Sequence, residues 1–217
     1  MGLVGMKRCL IVGAGGFGRE ALSWALAVKQ DEWRIGGFLD SNTEALAGKN
    51  MPCDVVGDPA EWQPQPDEVF IAGIGDSETR LLVCGGLIIR GAQFVTVIHP
   101  SVTLGLSARI GTGCVLAPNA VLSANATIEA LVLLNVGATL GHDCIAGEGT
   151  TVSSHCDVMG YARLGRGVFM GSHSCVLPGL SVGDFAVVGA GSAVVRNVAP
   201  RTTVLGVPAQ LLFTHRD

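Results

Sequence analysis

The sequence predicts two parts in series: an α/β domain over residues 1–97 and an all-β coil of short stacked strands over 98–217. Three observations predict them. A glycine-rich turn follows a buried strand near the N-terminus, an aliphatic residue stands at every sixth position from Ile98 to Val194, and the charge falls abruptly near residue 97. Residues 1–97 carry 20 charged side chains, whereas the equally long stretch 98–194 carries eight.

The first part opens with Cys9–Val12, a short apolar strand, followed by G-A-G-G-F-G with Gly13, Gly15 and Gly18. An apolar helix from about Arg19 to Val28 comes next, then a strand Ile35–Leu39 that ends in Asp40. G-x-G-x-x-G between a strand and a helix lets a phosphate approach the helix N-terminus, and the acid at the second strand end can bind a ribose hydroxyl. Further strands are expected near Cys53–Val56, Val69–Ile74 and Phe94–Ile98, and a helix over Glu78–Ile89. About 95 residues hold one mononucleotide half of a Rossmann fold and not two. A nucleotide or nucleotide-sugar site therefore fits better than NAD chemistry. The second candidate contact is I-G-D-S-E-T-R, Ile74 to Arg80, at the C-terminal end of a later strand. The candidate nucleotide contacts are Gly13, Gly15, Gly16, Phe17, Asp40, Ser41, Gly75 and Asp76.

In the second part, the residue four places after each aliphatic is small or modest, as at Ala108, Cys114, Ala120 and Cys144, and glycine often follows the aliphatic directly. A period of six fits neither a helix nor an alternating strand. It fits a coil of short strands joined by tight corners, with aliphatics lining the interior and small residues fitting the corners.

Composition excludes several classes. A net charge of −4 argues against a nucleic-acid partner. MGLVGMKR is too short and weakly apolar for a leader, and the uncharged run Ile110–Ile128 is broken by Gly111, Gly113, Pro118, Asn119 and Asn125. A cytoplasmic address with no membrane partner is expected. The seven cysteines form no C-x-x-C pair, which reads as reduced, packed thiols and no metal centre.

The order of parts resembles the bacterial nucleotide-sugar N-acetyltransferases and sialic-acid-type O-acetyltransferases built on hexapeptide repeats. V-G-A-G-G-F-G, F-L-D-S-N, I-G-D-S-E-T-R, V-I-H-P-S, L-G-H-D-C-I-A-G, S-C-V-L-P-G-L-S-V-G-D and L-G-V-P-A carry the resemblance, over nearly the whole chain. It implies a half-Rossmann domain followed by a left-handed parallel β-helix, assembled as a homotrimer in glycan biosynthesis. It implies acetyl transfer from acetyl-CoA to the amino group of a nucleotide-linked deoxyamino sugar, the alternative being O-acetylation of a sialic-acid-like sugar. In that family the histidine of G-H-(D/E)-C is the catalytic base, so His142 takes that role here and Asp143 orients it. Imidazole titrates near neutrality, and a neighbouring carboxylate fixes its tautomer. The matching positions for acetyl-CoA, in a cleft between neighbouring prisms, are Thr151, Gly160, Ser172 and Ala190. Gly160 lies one coil beyond His142, where its N–H could meet the developing oxyanion. Some relatives carry histidines where Thr151 and Phe17 stand, and a basic residue where this chain has Gln210.

Four other histidines have readings of their own. His155 and His173, eighteen residues apart, should stack on adjacent coils, as an outward polar ladder, part of the CoA path or a metal pair. A γ-type carbonic anhydrase would need three zinc histidines, which these spacings oppose. His99 opens the coil, and His215 reads as a solvated tail residue.

Overall fold

The computed structural model describes residues 5–215 of the 217-residue chain. The first four residues of the segment weighed as a leader lie outside that range. The α/β part has four parallel strands: β1 (Lys7–Val12), β2 (Trp33–Leu39), β3 (Val55–Gly57) and β4 (Glu68–Ala72), in spatial order β3-β2-β1-β4. Helix α1 (Gly16–Ala27) follows β1, and α2 (Ser77–Ile89) follows β4. Alternate residues of β1 explain the layering. Cys9 and Ile11 pack with Ala21, Leu22 and Trp24 of α1, while Leu10 and Val12 pack with Leu81, Cys84 and Leu87 of α2. Both strand faces are therefore buried, as a central parallel strand requires.

Helix α1 begins at Gly16, three residues before the expected start, with Gly15 as its N-cap. Gly18 thus sits inside the first turn, where any Cβ would collide with the carbonyl of Gly13. The third glycine of the motif serves close helix–strand packing and not the turn itself. The expected strand over Phe94–Ile98 is also divided: Phe94 bridges to Phe70 of the α/β sheet, and Val97–Ile98 already pairs with the solenoid strand Val115–Leu116.

From Val97 to Val194 the chain winds as a parallel β-solenoid of two-residue strands, stacked into three walls of six, six and five strands, and two longer strands further on bring one six-stranded wall to eight. Successive strands in one wall are eighteen residues apart, as in Leu133↔Thr151 and Thr139↔Asp157. The interior follows the six-residue rule: Leu116, Leu122, Ile128, Leu134 and Leu140 are buried together with the small residues Cys114, Ala120, Ala126, Ala138 and Cys144. The corners follow a second rule. Every sixth residue from Ser107 to Gly191 has positive φ, glycine or not, including Leu131, Asp143, Tyr161 and Phe185. Beyond the solenoid, Thr202–Leu205 extends the largest wall, and Gln210–Thr214 folds back antiparallel onto it.

The α/β part covers the eight-stranded wall. Val115 and Leu133, which point outward from that wall, are fully buried under it, and Leu131 and Phe185 at the adjoining corner pack against α2's layer. Arg109, Arg163 and Ser181 on the five-stranded wall, and Thr103 and Asp157 on the six-stranded wall, remain exposed. No helix among the described residues is long and apolar enough to cross a membrane. All seven cysteines are free, and burial pushes the thiols of Cys84 and Cys114 up, to about 12 and about 11.

Candidate active site

Two sites emerge. The first is a cleft of about 340 Å³ at the C-terminal strand ends, lined by Gly13, Gly15, Gly16 and Phe17 after β1, Asp40 and Ser41 after β2, and Gly73, Ile74 and Gly75 after β4. Strand order reverses between β1 and β4, and open α/β sheets bind ligands at such a switch point. Gly13 adopts φ +99°, and a Cβ there would meet Ile74 and the Gly73 carbonyl. Only glycine lets the two loops close on each other. One oxygen of Asp40 accepts the Ala14 amide at 2.7 Å and the other accepts the Asn42 amide at 2.9 Å. The acid braces the glycine-rich turn, and each oxygen keeps a lone pair for a ligand.

Seven of the eight sequence-derived nucleotide contacts line this cleft; Asp76 does not. Asp76 caps α2 instead, accepting both the amide and the hydroxyl of Thr79. Leu39, Pro59, Thr79 and Val83 complete the lining; Leu39 and Thr79 fall within F-L-D-S-N and I-G-D-S-E-T-R, whereas Pro59 and Val83 carry no motif that singles them out.

The second site is a solenoid corner. His142 precedes Asp143, whose φ of 60° turns its side chain back, so that His142 Nδ1 and Asp143 Oδ2 lie 2.9 Å apart. With Nδ1–H donating to the carboxylate, the lone pair resides on Nε2. That atom hangs over the next coil: a Cβ on Gly160 would lie 2.6 Å from Nε2 and from Cε1. The Gly160 amide donates to no group among the described residues. Tyr161 stands edge-on to the imidazole, 5.0 Å between centroids, eighteen residues after Asp143 at the same kind of corner position. Sequence reasoning passed over Tyr161, although that eighteen-residue step could have flagged it. The His142 side chain is 56% exposed, so the ring is open to a ligand.

The remaining positions scatter. Ser172 and Ala190 share another corner, beside His155 and His173, whose rings stack 5.1 Å apart at 20°. Thr151 corrects an expectation. Its hydroxyl donates to the Gly75 carbonyl and accepts from Ser77 and Arg80, and its side chain is sealed at the junction with the α/β part. Only 5% of Thr151 is exposed within the chain. His215 is likewise not a loose tail residue: its ring bonds the Thr203 hydroxyl at 2.9 Å and its amide donates to Arg201. Among the described residues no group of three or more His, Cys, Asp or Glu could hold a metal ion.

Comparison with known proteins gives a consistent picture. Residues 8–86 match the family described as PglD N-terminal domain. The chain is 26% identical over 172 residues to the GDP-perosamine N-acetyltransferase of Escherichia coli O157:H7, covering 78% of each. It superposes on the acetyltransferase domain of PglB from Neisseria gonorrhoeae FA1090 with a TM-score of 0.87 at 28% identity, over 95% of this chain and 100% of that one. It also superposes on PerB from Caulobacter crescentus, solved in complex with CoA and GDP-perosamine, with a TM-score of 0.85 at 26% identity over 94% and 97%. The N-terminal domain, these relatives and the six-residue solenoid fit a hexapeptide-repeat sugar acetyltransferase.

Proposed function

We propose that the protein transfers the acetyl group of acetyl-CoA to the amino group of a nucleotide-linked deoxyamino sugar, by direct attack and without an acyl-enzyme. The observation that carries this reading is the His142 corner: a carboxylate on Nδ1, a free Nε2, and the unpartnered Gly160 amide on the next coil. The amine nitrogen attacks the thioester carbonyl and its proton passes to His142 Nε2. The carbonyl oxygen, now an oxyanion, accepts from the Gly160 N–H. Collapse of the adduct breaks the C–S bond, and the departing thiolate takes the proton back from His142. Asp143 keeps the imidazole in the tautomer this requires.

Residues 1–97 hold the nucleotide in the cleft, and residues 98–217 hold acetyl-CoA along the solenoid, with Gly160, Ser172 and Ala190 as its contacts. The coil is left-handed and the protein a homotrimer acting in cytoplasmic glycan assembly. Geometry supports the trimer. The cleft belongs to the part that covers the eight-stranded wall, whereas His142 stands at the corner where the other two walls meet, on the far side of the same chain. A sugar in one chain's cleft is presented to His142 of a neighbour. The relatives' amino-sugar chemistry favours the N-acetyl reading over O-acetylation.

The test is thiol release from acetyl-CoA with UDP-, GDP- and dTDP-linked 4-amino sugars. Release with at least one of them is expected. Release only with hydroxyl sugars would move the reading to O-acetylation, and none with any acceptor would overturn it.

A further inference from the structure

The largest fully buried side chain among the described residues is a cation. Arg80, on the first turn of α2, has no exposed surface and no carboxylate within salt-bridge distance. Its guanidinium is held by neutral acceptors: Nη1 donates to the carbonyls of Ile74 and Gly75, Nε to Leu131, and Nη2 to Gly149 and the Thr151 hydroxyl. Burial lowers its pKa only to about 10, so it stays charged at neutral pH. Asp76 favours the cation by Coulomb attraction without bonding to it, so the charge is only partly compensated within the chain, and a buried cation of that kind is costly.

The two acceptors on Nη1 show where the charge is used. Ile74 and Gly75 line the cleft opposite the glycine-rich turn. In a trans peptide, C=O and N–H point in opposite directions. Carbonyls turned inward onto Arg80 therefore turn the amides of Gly75 and Asp76 away from it, and neither amide donates to any group among the described residues. A cation bonded to a carbonyl also polarises that peptide, which strengthens its N–H as a donor.

We propose that Arg80 is a positioning residue for the nucleotide diphosphate: it aims and polarises the Gly75 amide toward the cleft, and the bound diphosphate balances its charge without touching it. This rests on the nucleotide-sugar reading above. The test compares Arg80→Met and Arg80→Lys with the wild type in calorimetry, using a nucleoside diphosphate, the matching uncharged nucleoside and acetyl-CoA. Arg80→Met is expected to weaken the diphosphate at least tenfold while nucleoside and acetyl-CoA affinities stay within threefold. Arg80→Lys keeps the charge and should retain the preference for diphosphate over nucleoside within threefold. Equal loss of nucleoside and diphosphate in Arg80→Met would reduce Arg80 to a strap, and unchanged diphosphate binding would overturn the proposal outright. Should Arg80→Met not fold, a lost preference in Arg80→Lys would overturn it as well. Wild-type protein that binds no nucleoside diphosphate would instead fault the nucleotide-sugar reading, and this inference with it.

Discussion

One methyl group at Gly160 tests the proposed catalytic role of the His142 corner at its tightest point. A Cβ there would lie 2.6 Å from Cε1 and Nε2 of His142, against an ordinary carbon contact of about 3.5–4.0 Å. The ring must therefore retreat by about 1 Å for normal packing. It can do so, because the side chain is 56% exposed and the backbone at Gly160 does not have positive φ. The perturbation is then spent on position and not on folding. A misplacement of about 1 Å costs on the order of a hundredfold when a reacting group is held in an attack geometry. Gly160→Ala is expected to lower kcat by about 30- to 100-fold, some 2–3 kcal/mol of barrier, with a melting temperature within a few degrees of wild type. The assay is thiol release at saturating acetyl-CoA and sugar, with a thermal melt beside it. His142→Ala combined with Gly160→Ala should be no slower than His142→Ala alone, because the methyl acts through the ring. Full activity in Gly160→Ala would refute the reasoning, as would an equal further loss in the His142→Ala background.

Other substitutions separate chemistry, binding and folding. His142→Ala should lower kcat by about a hundredfold or more and leave both KM values within a few-fold, with Asp143→Asn costing less, as measured by steady-state kinetics. Gly15 has open space around its α carbon and lines the cleft, so Gly15→Leu should abolish nucleotide binding in calorimetry while the melting temperature holds. Gly18→Ala should do the reverse: its Cβ meets the Gly13 backbone, and a loss of about 1–3 kcal/mol is expected in denaturant unfolding.

The aliphatic ladder was legible because one residue class recurs at one interval and no other regular structure has period six. The corner rule was not legible, since its positions hold Ser107, Asn119, Leu131, Tyr161 and Phe185 alike. A left-handed conformation costs an ordinary residue about 1–2 kcal/mol, so local preference predicts glycine or asparagine there. Stacking overrides that preference. The amides of Leu131, Asp143, Tyr161 and Phe185 each donate to a carbonyl of the preceding coil, and those bonds offset the strain. Thr151 was named by resemblance alone, and its burial at the junction was not legible because the repeat cannot say which wall the α/β part covers. Arg80 sat within a quoted motif, yet arginine is almost never fully buried, so nothing in its type announced a buried cation. His142 and Asp143 were singled out by resemblance. What the coordinates add is the positive φ at Asp143 that lets two adjacent side chains meet.

The placement of cleft and base on opposite sides of one chain leads to a test that no single variant provides. Light scattering should report a trimer at micromolar concentration, and a stable monomer would count against the whole arrangement. Within a trimer the question is which chain supplies which half of a site. His142→Ala spoils the base and leaves its own cleft intact; Gly15→Leu spoils the cleft and leaves its own base intact. If each site were built from a single chain, every site in a mixed trimer would carry one defect, and activity would stay at the level of the weaker variants. If each site takes its cleft from one chain and its base from the next, random assembly of equal amounts leaves one interface in four with both halves intact. Co-expressed, differently tagged chains purified as mixed trimers lose the inactive homotrimers and keep one intact interface in three, so they should recover about a third of wild-type activity, far above either variant alone. Activity that stays at the background of the parents would place cleft and base in the same chain, and would require the α/β part to reach around the solenoid in a way its contacts with the eight-stranded wall do not allow.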